Sequence, residues 1–455
     1  MAIVGSFMVP HPPLIIPEVG QGGEEQITKT ISSYQKVADE IASLNPETII
    51  ISSPHANYYS DYFYISGSKN VNGNFGNFGA SSVSFSEEID IELAKEIEKI
   101  AAKENFPCGC IEDEVLDHGT MVPLYFIRNK LPKCKLIVVG LSTLPLIDNY
   151  HFGMLINQAI NKTNRKVVFV ASGDLSHKLQ EHGPYGFIKE GPVYDEKIMK
   201  TMSSTNFNEL LEYDELFLDK AAECGHRSFT IMAGTLDGLN VQSKQLSHED
   251  ITGVGYGICT FYPKEKNKDR EFYNKYLEKV IAKTKSNDEY VNLAKKTIET
   301  YILENKKIEV PKDISKELLN KKAGVFVSIH KLGKLRGCIG TFLPTTDSIA
   351  TEIINNAISA STKDPRFSAI TKDELKYLEI NVDVLSAPEK INSKDQLDPK
   401  KYGVIVTNGF RRGLLLPDLD GIDTIDEQIA IAKSKAGIMK NEEVSLERFE
   451  VVRHV

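Results

Sequence analysis

Three histidines each follow, within a few residues, a short apolar run of the kind that forms a buried strand. The runs and their histidines are 3–9 with His11, 48–52 with His55, and 166–171 with His177. Runs this short and this rich in Val and Ile are typical of parallel strands. In open α/β sheets, ligands bind beyond the carboxyl ends of such strands. We therefore expect these imidazoles to face one pocket.

Two polar stretches that precede apolar runs add further candidates. Asp117 and His118 stand before an apolar run, which suits either a loop facing the same pocket or a helix cap. Glu223 and Cys224 stand in a turn just before another apolar helix. Metal or proton ligands this dense at a helix start are uncommon by chance.

The residue types indicate a metal site. Imidazole suits iron, copper and zinc, and two histidines with one anionic ligand are typical of mononuclear non-haem Fe(II) oxygenases. His11 and His55 would supply the imidazoles, while Glu223 and Cys224 compete for the third position. A carboxylate there favours Fe(II), and a thiolate also admits Cu or Zn. We expect Fe(II) first.

His177 and His118 are then candidates for proton transfer, because imidazole titrates near neutral pH. Asp174 lies three residues before His177 and could orient that ring or bind the metal itself. Its alternative is a surface Asp–His cap.

The second half of the chain carries a different signature, LRGCIGT at residues 335–341. Cys338 is either a reactive thiol beside Arg336, which would lower its pKa, or a small buried residue. Arg366 follows a proline and suits an anchor for a carboxylate or phosphate, or a surface salt bridge.

Length and composition limit the remaining possibilities. A chain of 455 residues exceeds what one core usually serves. The formal charge of −9 argues against a broadly basic nucleic-acid-binding protein. The apolar runs are strand-sized, so no membrane span is expected, and the chain should be cytoplasmic. Six cysteines without disulfide spacing agree with a reducing compartment.

We predict two domains joined by a charged segment. Residues 1–262 alternate strands and helices, which predicts an α/β domain with a parallel or mixed sheet. Residues 263–287 are rich in Lys, Glu, Asp and Asn and are interpreted as a solvated linker. Residues 288–455 mix strands and helices without strict alternation, which indicates a smaller α+β domain.

The first domain resembles the MEMO family, which is related to the class III extradiol (LigB-type) dioxygenases. The residues that carry this resemblance are His11, His55, His118, Asp174, His177 and the turn at 223–225. In the dioxygenases, the corresponding iron ligands would be His11, His55 and Glu223, with His177 as acid/base. MEMO-type proteins place a cysteine third, here Cys224.

The second domain resembles the AMMECR1 family, chiefly through 335–341, 364–367 and 413–417. The pair of domains resembles fused AmmeMemoRadiSam system proteins, which implies a radical SAM protein as a possible partner. The leading hypothesis is a metal-dependent redox enzyme acting on an unknown small molecule or peptide. The alternatives are a non-catalytic metal- or peptide-binding module and a zinc hydrolase.

Overall fold

The computed structural model describes residues 3–131, 133–419 and 421–455. The chain forms two compact units, Met1–Tyr276 and Leu277–Val455. Strand-forming runs and amphipathic helices alternate through most of the first unit, as expected for an α/β arrangement. No helix among the described residues is long and apolar enough to cross a membrane.

The first unit contains the strands of a large sheet and a separate hairpin. They are β1 (Ile3–Val9), β2 (Thr48–Ser53), β3 (Phe63–Ser66), β4 (Asn70–Phe75), β5 (Ala80–Glu88), β6 (Cys108–Ile111), β7 (Lys135–Gly140), β8 (Val167–Ser172), β9 (Leu239–Glu249) and β10 (Tyr256–Lys266). The eight-stranded sheet has the order β6-β3-β7-β2-β8-β1-β10-β9, and β4 pairs with β5.

The central strands β7, β2, β8 and β1 are mutually parallel. Antiparallel pairs join β3 to β7, β10 to β1, and β9 to β10. The sheet is therefore mixed, with a parallel centre. Because β2, β8 and β1 are neighbours, the segments that follow them emerge side by side at one edge.

Helices cover the sheet. They are α1 (Pro17–Gly20), α2 (Thr28–Leu44), α3 (Ile91–Lys103), α4 (His118–Arg128), α5 (Leu146–Thr163), α6 (Glu190–Ser204), α7 (Glu215–Ala221) and α8 (His226–Thr235). A further helix, α9 (Phe272–Lys283), follows β10 along the chain. One buried cluster packs α2 and α4 against alternate residues of the central strands, including Ile51 of β2 and Val170 of β8. Helices α5 and α8 pack on each other and contact the central strands. The mixed α/β class is confirmed.

The second unit is built from two antiparallel sheets and helices. Its elements are α10 (Glu289–Glu304), α11 (Lys316–Asn320), β11 (Gly324–Lys331), β12 (Lys334–Thr341), α12 (Ile349–Thr362), β13 (Leu378–Leu385), β14 (Glu389–Ile391), β15 (Gly403–Asn408), β16 (Arg411–Leu415), α13 (Ile425–Lys435), β17 (Ser445–Phe449) and β18 (Val451–His454). The sheet orders are β12-β11-β13-β18 and β14-β17-β15-β16. The expected α+β class is confirmed.

The charged segment 263–287, which its composition indicated to be a solvated linker, contains regular secondary structure. Strand β10 continues to Lys266, and α9 occupies most of the remainder, with Phe272 and Val280 buried. The division between the compact units, after Tyr276, falls inside α9. Composition alone does not reveal such a helix, because a few apolar residues at helical spacing are enough to anchor an otherwise charged helix.

Candidate metal centre

His11 lies at the carboxyl end of β1 and is almost completely buried. Its Nδ1 is 3.0 Å from the Ser172 hydroxyl oxygen, and that hydroxyl donates to the carbonyl oxygen of Gly119 at 2.6 Å. Since the Ser172 proton is committed to Gly119, His11 Nδ1 must be the donor in the first bond. The lone pair is therefore on Nε2, which points toward the other candidate ligands.

Two further imidazole rings, those of His55 and His118, lie close to His11. His55 Nε2 is 3.1 Å from His11 Nε2, and the His118 ring lies 4.0 Å from the His55 ring, centre to centre. Asp117 fixes the loops that carry both residues, because its carboxylate caps α4 at the Thr120 N–H and accepts the Ser53 hydroxyl. Asp117 is thus the helix cap, and His118 itself faces the pocket.

Cys224 and Asp174 also lie close to His11. The Cys224 Sγ is 3.6 Å from His11 Nε2, and the Asp174 carboxylate accepts the His11 backbone N–H at 2.7 Å. The Asp174 N–H donates to Cys224 Sγ at 3.3 Å. The segments after β8 and before α8 cross so closely that a methyl group on Gly173 would lie 2.1 Å from Gly225 Cα.

The donor atoms form two groups that share His11. One is His11, His55 and His118, and the other is His11, Asp174 and Cys224. Within each group the atoms lie within 4.8 Å of one another. His118, which the sequence assigned to proton transfer, is therefore close enough to be a ligand. Ser172, which the sequence did not single out, sets the orientation of the shared histidine.

Glu223 is in neither group among the described residues. Its carboxylate accepts the His226 N–H at 2.5 Å and so caps α8. Adjacent side chains in the turn project apart, and the orphan N–H groups of a helix start attract the carboxylate. The expected role of Glu223 as a third ligand beside His11 does not match this geometry.

Burial keeps the ligand candidates neutral. It lowers the pKa of His11 well below its usual value, and the neighbouring imidazoles His55, His118 and His177 lower it further. Burial lowers the pKa of His118 to about 4. Lone pairs on these rings are therefore available at neutral pH.

For the acidic ligand candidates, Asp174 and Cys224, burial raises the pKa instead of lowering it. Burial raises the pKa of Asp174 to about 7 and that of the Cys224 thiol well above its usual value. A cation placed among these groups would reverse both shifts, since a coordinating thiol loses its proton outright. Asp174 and Cys224 are thus neutral in the buried pocket and would become negatively charged if a cation bound there.

The donor spacing fits a transition-metal ion. An ion bound at about 2.1 Å to two imidazole nitrogens holds them about 2.9–3.4 Å apart, and a thiolate at about 2.3 Å lies about 3.6 Å from such a nitrogen. The separations found are 3.1 Å and 3.6 Å. Two nitrogens, a sulfur and a carboxylate are ligands of iron, copper and zinc.

His177 lies beside the donors without joining either group. It is half-buried, its ring stacks on Tyr185 at 5.3 Å, and burial followed by the charge of His55 lowers its pKa. Phe78 contacts the His118 ring at 5.4 Å in an edge arrangement. Both Phe78 and Tyr185 are exposed, so aromatic side chains border the pocket.

The candidate site residues Arg336 and Arg366 of the second unit form hydrogen bonds and ion pairs within that unit. Arg336 binds the Glu374 carboxylate at 2.9 Å and the Ser368 carbonyl oxygen. Arg366 pairs with Asp364 at 2.7 Å, which is the salt-bridge alternative.

Cys338 is half-buried on β12. Its Sγ accepts the Ser328 hydroxyl at 3.2 Å, and its N–H donates to Asp364 at 2.9 Å.

Fold and donor set together define a dioxygenase-like α/β unit, with His, Asp and Cys donors close enough together to hold a metal ion, and a smaller α+β unit. A family model described as the catalytic LigB subunit of aromatic ring-opening dioxygenase matches residues 5–259, and the AMMECR1 model matches residues 291–454. The chain belongs to the LigB family and carries a carboxyl-terminal AMMECR1 domain. Both resemblances are confirmed, whereas membership of the AmmeMemoRadiSam system remains a prediction.

One relative matches over the whole chain, and others match over one part of it. Protein CA_C1420 of Clostridium acetobutylicum is 40% identical over 466 residues, covering 100% of this chain and 99% of that protein. A Thermotoga maritima protein is 51% identical over 167 residues, covering 36% of this chain and 96% of its own length. The crystal structure of uncharacterized protein JW3007 from Escherichia coli K12 aligns with a TM-score of 0.40 at 13% identity, covering 57% of this chain and 99% of that one.

Proposed function

We propose that the first unit is a metal-dependent redox enzyme that holds one non-haem metal ion. Fe(II) is the first candidate, with Cu and Zn next. His11 and His55 are the proposed imidazole ligands, and Cys224 is the proposed third ligand, with Asp174 beside it. The observation that carries this proposal is that His55 Nε2 and Cys224 Sγ both lie close to His11 Nε2, at 3.1 Å and 3.6 Å, and that both donor groups share His11.

The ion would supply a redox-active Lewis acid for an organic substrate and dioxygen. The protein's own contribution is orientation and proton transfer. His177 is the proposed acid/base, because it lies next to the donors, is not engaged by them, and has an imidazole pKa lowered from near neutrality. Exposed Phe78 and Tyr185 favour a planar organic group at the entrance.

Metal reconstitution tests the proposal. Protein purified without oxygen and incubated separately with Fe(II), Cu and Zn should retain about one ion per chain by elemental analysis, with Fe(II) supporting oxygen consumption with catechols. His11→Ala should weaken binding more than about 100-fold, since loss even of a residue that only orients a ligand costs about 10–100-fold. His182→Ala, an exposed histidine of the same unit, is the matched control. Protein that stays metal-free with all three ions would refute the proposal.

The position of Glu223 favours a second candidate. A site with cysteine in place of the carboxylate could bind a metal or a peptide without ring cleavage, while the AMMECR1 domain engages a partner such as a radical SAM protein. Metal-loaded protein that consumes no oxygen with any catechol but co-purifies with such a partner would favour this module over the enzyme.

A further inference from the structure

A carboxylate from a neighbouring helix holds the backbone segment that carries Asp174 and His177. Asp195 of α6 is 2% exposed, and its Oδ1 accepts the Ser176 N–H at 2.9 Å. Ser176 adjoins His177 and lies two residues after Asp174. Any movement of this contact would therefore move both the carboxylate beside His11 and the proposed acid/base.

The same carboxylate also binds a histidine of β9. Asp195 Oδ2 is 3.0 Å from His248 Nε2, so the two carboxylate oxygens connect β9 with the segment after β8. The carboxylate lies where only a glycine leaves room, since a Cβ on Gly255 would be 2.0 Å from Asp195 Oδ2. The His248 side chain is 31% exposed, whereas Asp195 is buried. Protons can therefore reach the imidazole from solvent.

The charges of Asp195 and His248 depend on each other. The hydrogen bond with Asp195 raises the pKa of His248, against the effect of burial. Burial raises the pKa of Asp195, against the hydrogen bonds from His248 and from the Ser176 N–H. Asp250, which follows β9, raises both pKa values further. The other neighbours of the carboxylate, Ser176 after β8 and Gly255 before β10, are uncharged.

Both groups are charged in the pH range between their two pKa values. As the pH rises through the raised pKa of His248, the imidazole loses its charge and the buried carboxylate keeps its own. The stabilisation that this raised pKa represents is present below the usual imidazole value of about 6.5 and is lost above the raised value. Neutral His248 can still donate a hydrogen bond, but such a bond is weaker than one between two ions.

We propose that Asp195 and His248 form a pH-sensitive anchor for residues 174–177, which keeps Asp174 and His177 in place while the imidazole is charged and lets them move when it is neutral. The inference concerns the regulation of the proposed metal centre, and it rests on the proposed function for its effect on turnover. A charged carboxylate that is buried without a cation is costly, so a neutral imidazole favours a shift of Asp195 toward water. The Ser176 N–H then moves with its acceptor or loses it.

The remaining contacts of the segment limit the size of this movement. The Leu175 N–H donates to the Gly255 carbonyl oxygen, and the Gly255 N–H donates to the Ser176 carbonyl oxygen, both at 2.8 Å. The Ser176 hydroxyl donates to the Ala221 carbonyl oxygen at 2.7 Å. Because none of these bonds involves a titratable group, we expect a local and reversible displacement without unfolding of the first unit.

Nuclear magnetic resonance of the full-length, metal-free protein tests the anchor. Labelling leucine with ¹³C at the carbonyl carbon and serine with ¹⁵N selects the amides of serines that follow a leucine: Ser142, Ser176, Ser247 and Ser386. Single alanine substitutions of the other three serines assign the Ser176 signal. This signal should shift with pH at the same midpoint as the His248 imidazole, above about 6.5.

Two neighbours in the chain provide internal references for this titration. Ser247 precedes His248, so its amide reports the imidazole directly. His177 adjoins Ser176, but burial lowers the pKa of His177, so its own titration has a separate and lower midpoint.

Two variants separate the anchor from an ordinary structural contact. His248→Gln should abolish the upper midpoint of the Ser176 signal. Asp195→Asn keeps an oxygen for the Ser176 N–H but removes the charge, and it should lower the His248 midpoint by about one unit. His182→Ala, at an exposed histidine of the same unit, should leave both midpoints unchanged. If Asp195→Asn does not fold, His248→Gln decides, because that side chain is partly exposed.

A second arm follows oxygen consumption by Fe(II)-loaded protein with a catechol from about pH 6 to about pH 9. Turnover should fall about 10-fold as the pH rises through the His248 midpoint, as for loss of a residue that orients a ligand. His248→Lys keeps its charge throughout this range and should remove the fall, with turnover staying high. His248→Gln should be low throughout.

A Ser176 signal that does not share the His248 midpoint, or that keeps it in His248→Gln, would overturn the inference. A fall in turnover that persists unchanged in His248→Lys would do the same. If the protein binds no metal or consumes no oxygen, the proposed function fails, and the resonance arm still decides whether the anchor exists.

Discussion

Ser172 decides which nitrogen of His11 faces the other donors. Its hydroxyl accepts from Nδ1 and donates to the Gly119 carbonyl oxygen, so the ring is fixed in one tautomer and one orientation. Partners of this kind orient metal ligands, and their loss commonly costs about 10–100-fold in affinity. Ser172→Ala should therefore weaken metal binding by roughly that factor without removing any donor, as measured by competition with a chelator. Unchanged affinity would contradict this role.

Cys224 and Glu223 can be separated by paired substitutions. Cys224→Ser should reduce metal affinity more than about 10-fold, because Sγ lies 3.6 Å from His11 Nε2. Glu223→Gln should leave affinity nearly unchanged, because that carboxylate caps α8. Parallel metal titrations of both variants check this. A large loss in Glu223→Gln with none in Cys224→Ser would restore the carboxylate as the ligand.

His177 should behave as a proton carrier. His177→Ala is expected to keep its metal, because the ring is outside both donor groups, and to lose turnover by about 10²–10⁴-fold. Elemental analysis and oxygen consumption on the same sample provide both readouts. Loss of metal together with turnover would make His177 a ligand.

At this scale the sequence predicted which strands would carry the donors better than it predicted the donors themselves. The strand-end rule placed His11 and His55 together, and both lie there. It could not choose between Glu223 and Cys224, because the direction in which neighbouring side chains of a turn project depends on the backbone and on the helix N–H groups that need a partner.

Elements were predicted well where the apolar pattern was continuous. Strand β1 has the predicted bounds, Ile3–Val9. Ser86 stands before Glu87 and Glu88 and is a plausible local cap, but helix α3 begins at Ile91 with Asp90 as its cap, because residues 86–88 pair with 70–72 in the β4–β5 hairpin. Long-range strand pairing overrode a plausible local cap, and nothing in the local pattern reveals such a partner.

The ion pair between Arg336 of β12 and Glu374, which precedes β13, predicts that the protein loses folding stability at acid pH. Burial alone would raise the pKa of Glu374, but hydrogen bonds from Arg336, the Thr371 N–H and Lys331 lower it to about 2. A depressed carboxylate pKa contributes stability that is fully present above about pH 4.5 and is lost as the pH falls toward 2.

Arg336→Gln should therefore reduce the free energy of unfolding at pH 7 by on the order of 1–2 kcal/mol and flatten its dependence between pH 5 and pH 2. Urea titrations at several pH values measure this. Lys312→Gln, at an exposed lysine of the same unit, controls for net charge. An identical pH dependence in Arg336→Gln and the parent protein would show that the ion pair is not responsible.

For the whole molecule, the sequence predicted two domains, and the chain does form two compact units. The predicted boundary, however, was placed within residues that form β10 and α9. We expect residues 1–284 and 285–455 each to be soluble and cooperatively folded, because each has its own buried cluster.

Circular dichroism and thermal melting of the two fragments test their independence, and metal should stay with the first. A first fragment that binds metal only after the second is added would show that the site depends on both halves.

The close approach of the segments at Gly173 and Gly225 predicts slow hydrogen exchange of the backbone amides in these loops. The amides of His11 and Gly225 bind Asp174 oxygens at 2.7 Å and 3.1 Å, although all three residues lie outside the strands and helices. In metal-free protein these loop amides should exchange as slowly as those of the central strands. Ions would then enter a pocket that is already ordered, so binding should carry only a small loss of conformational entropy.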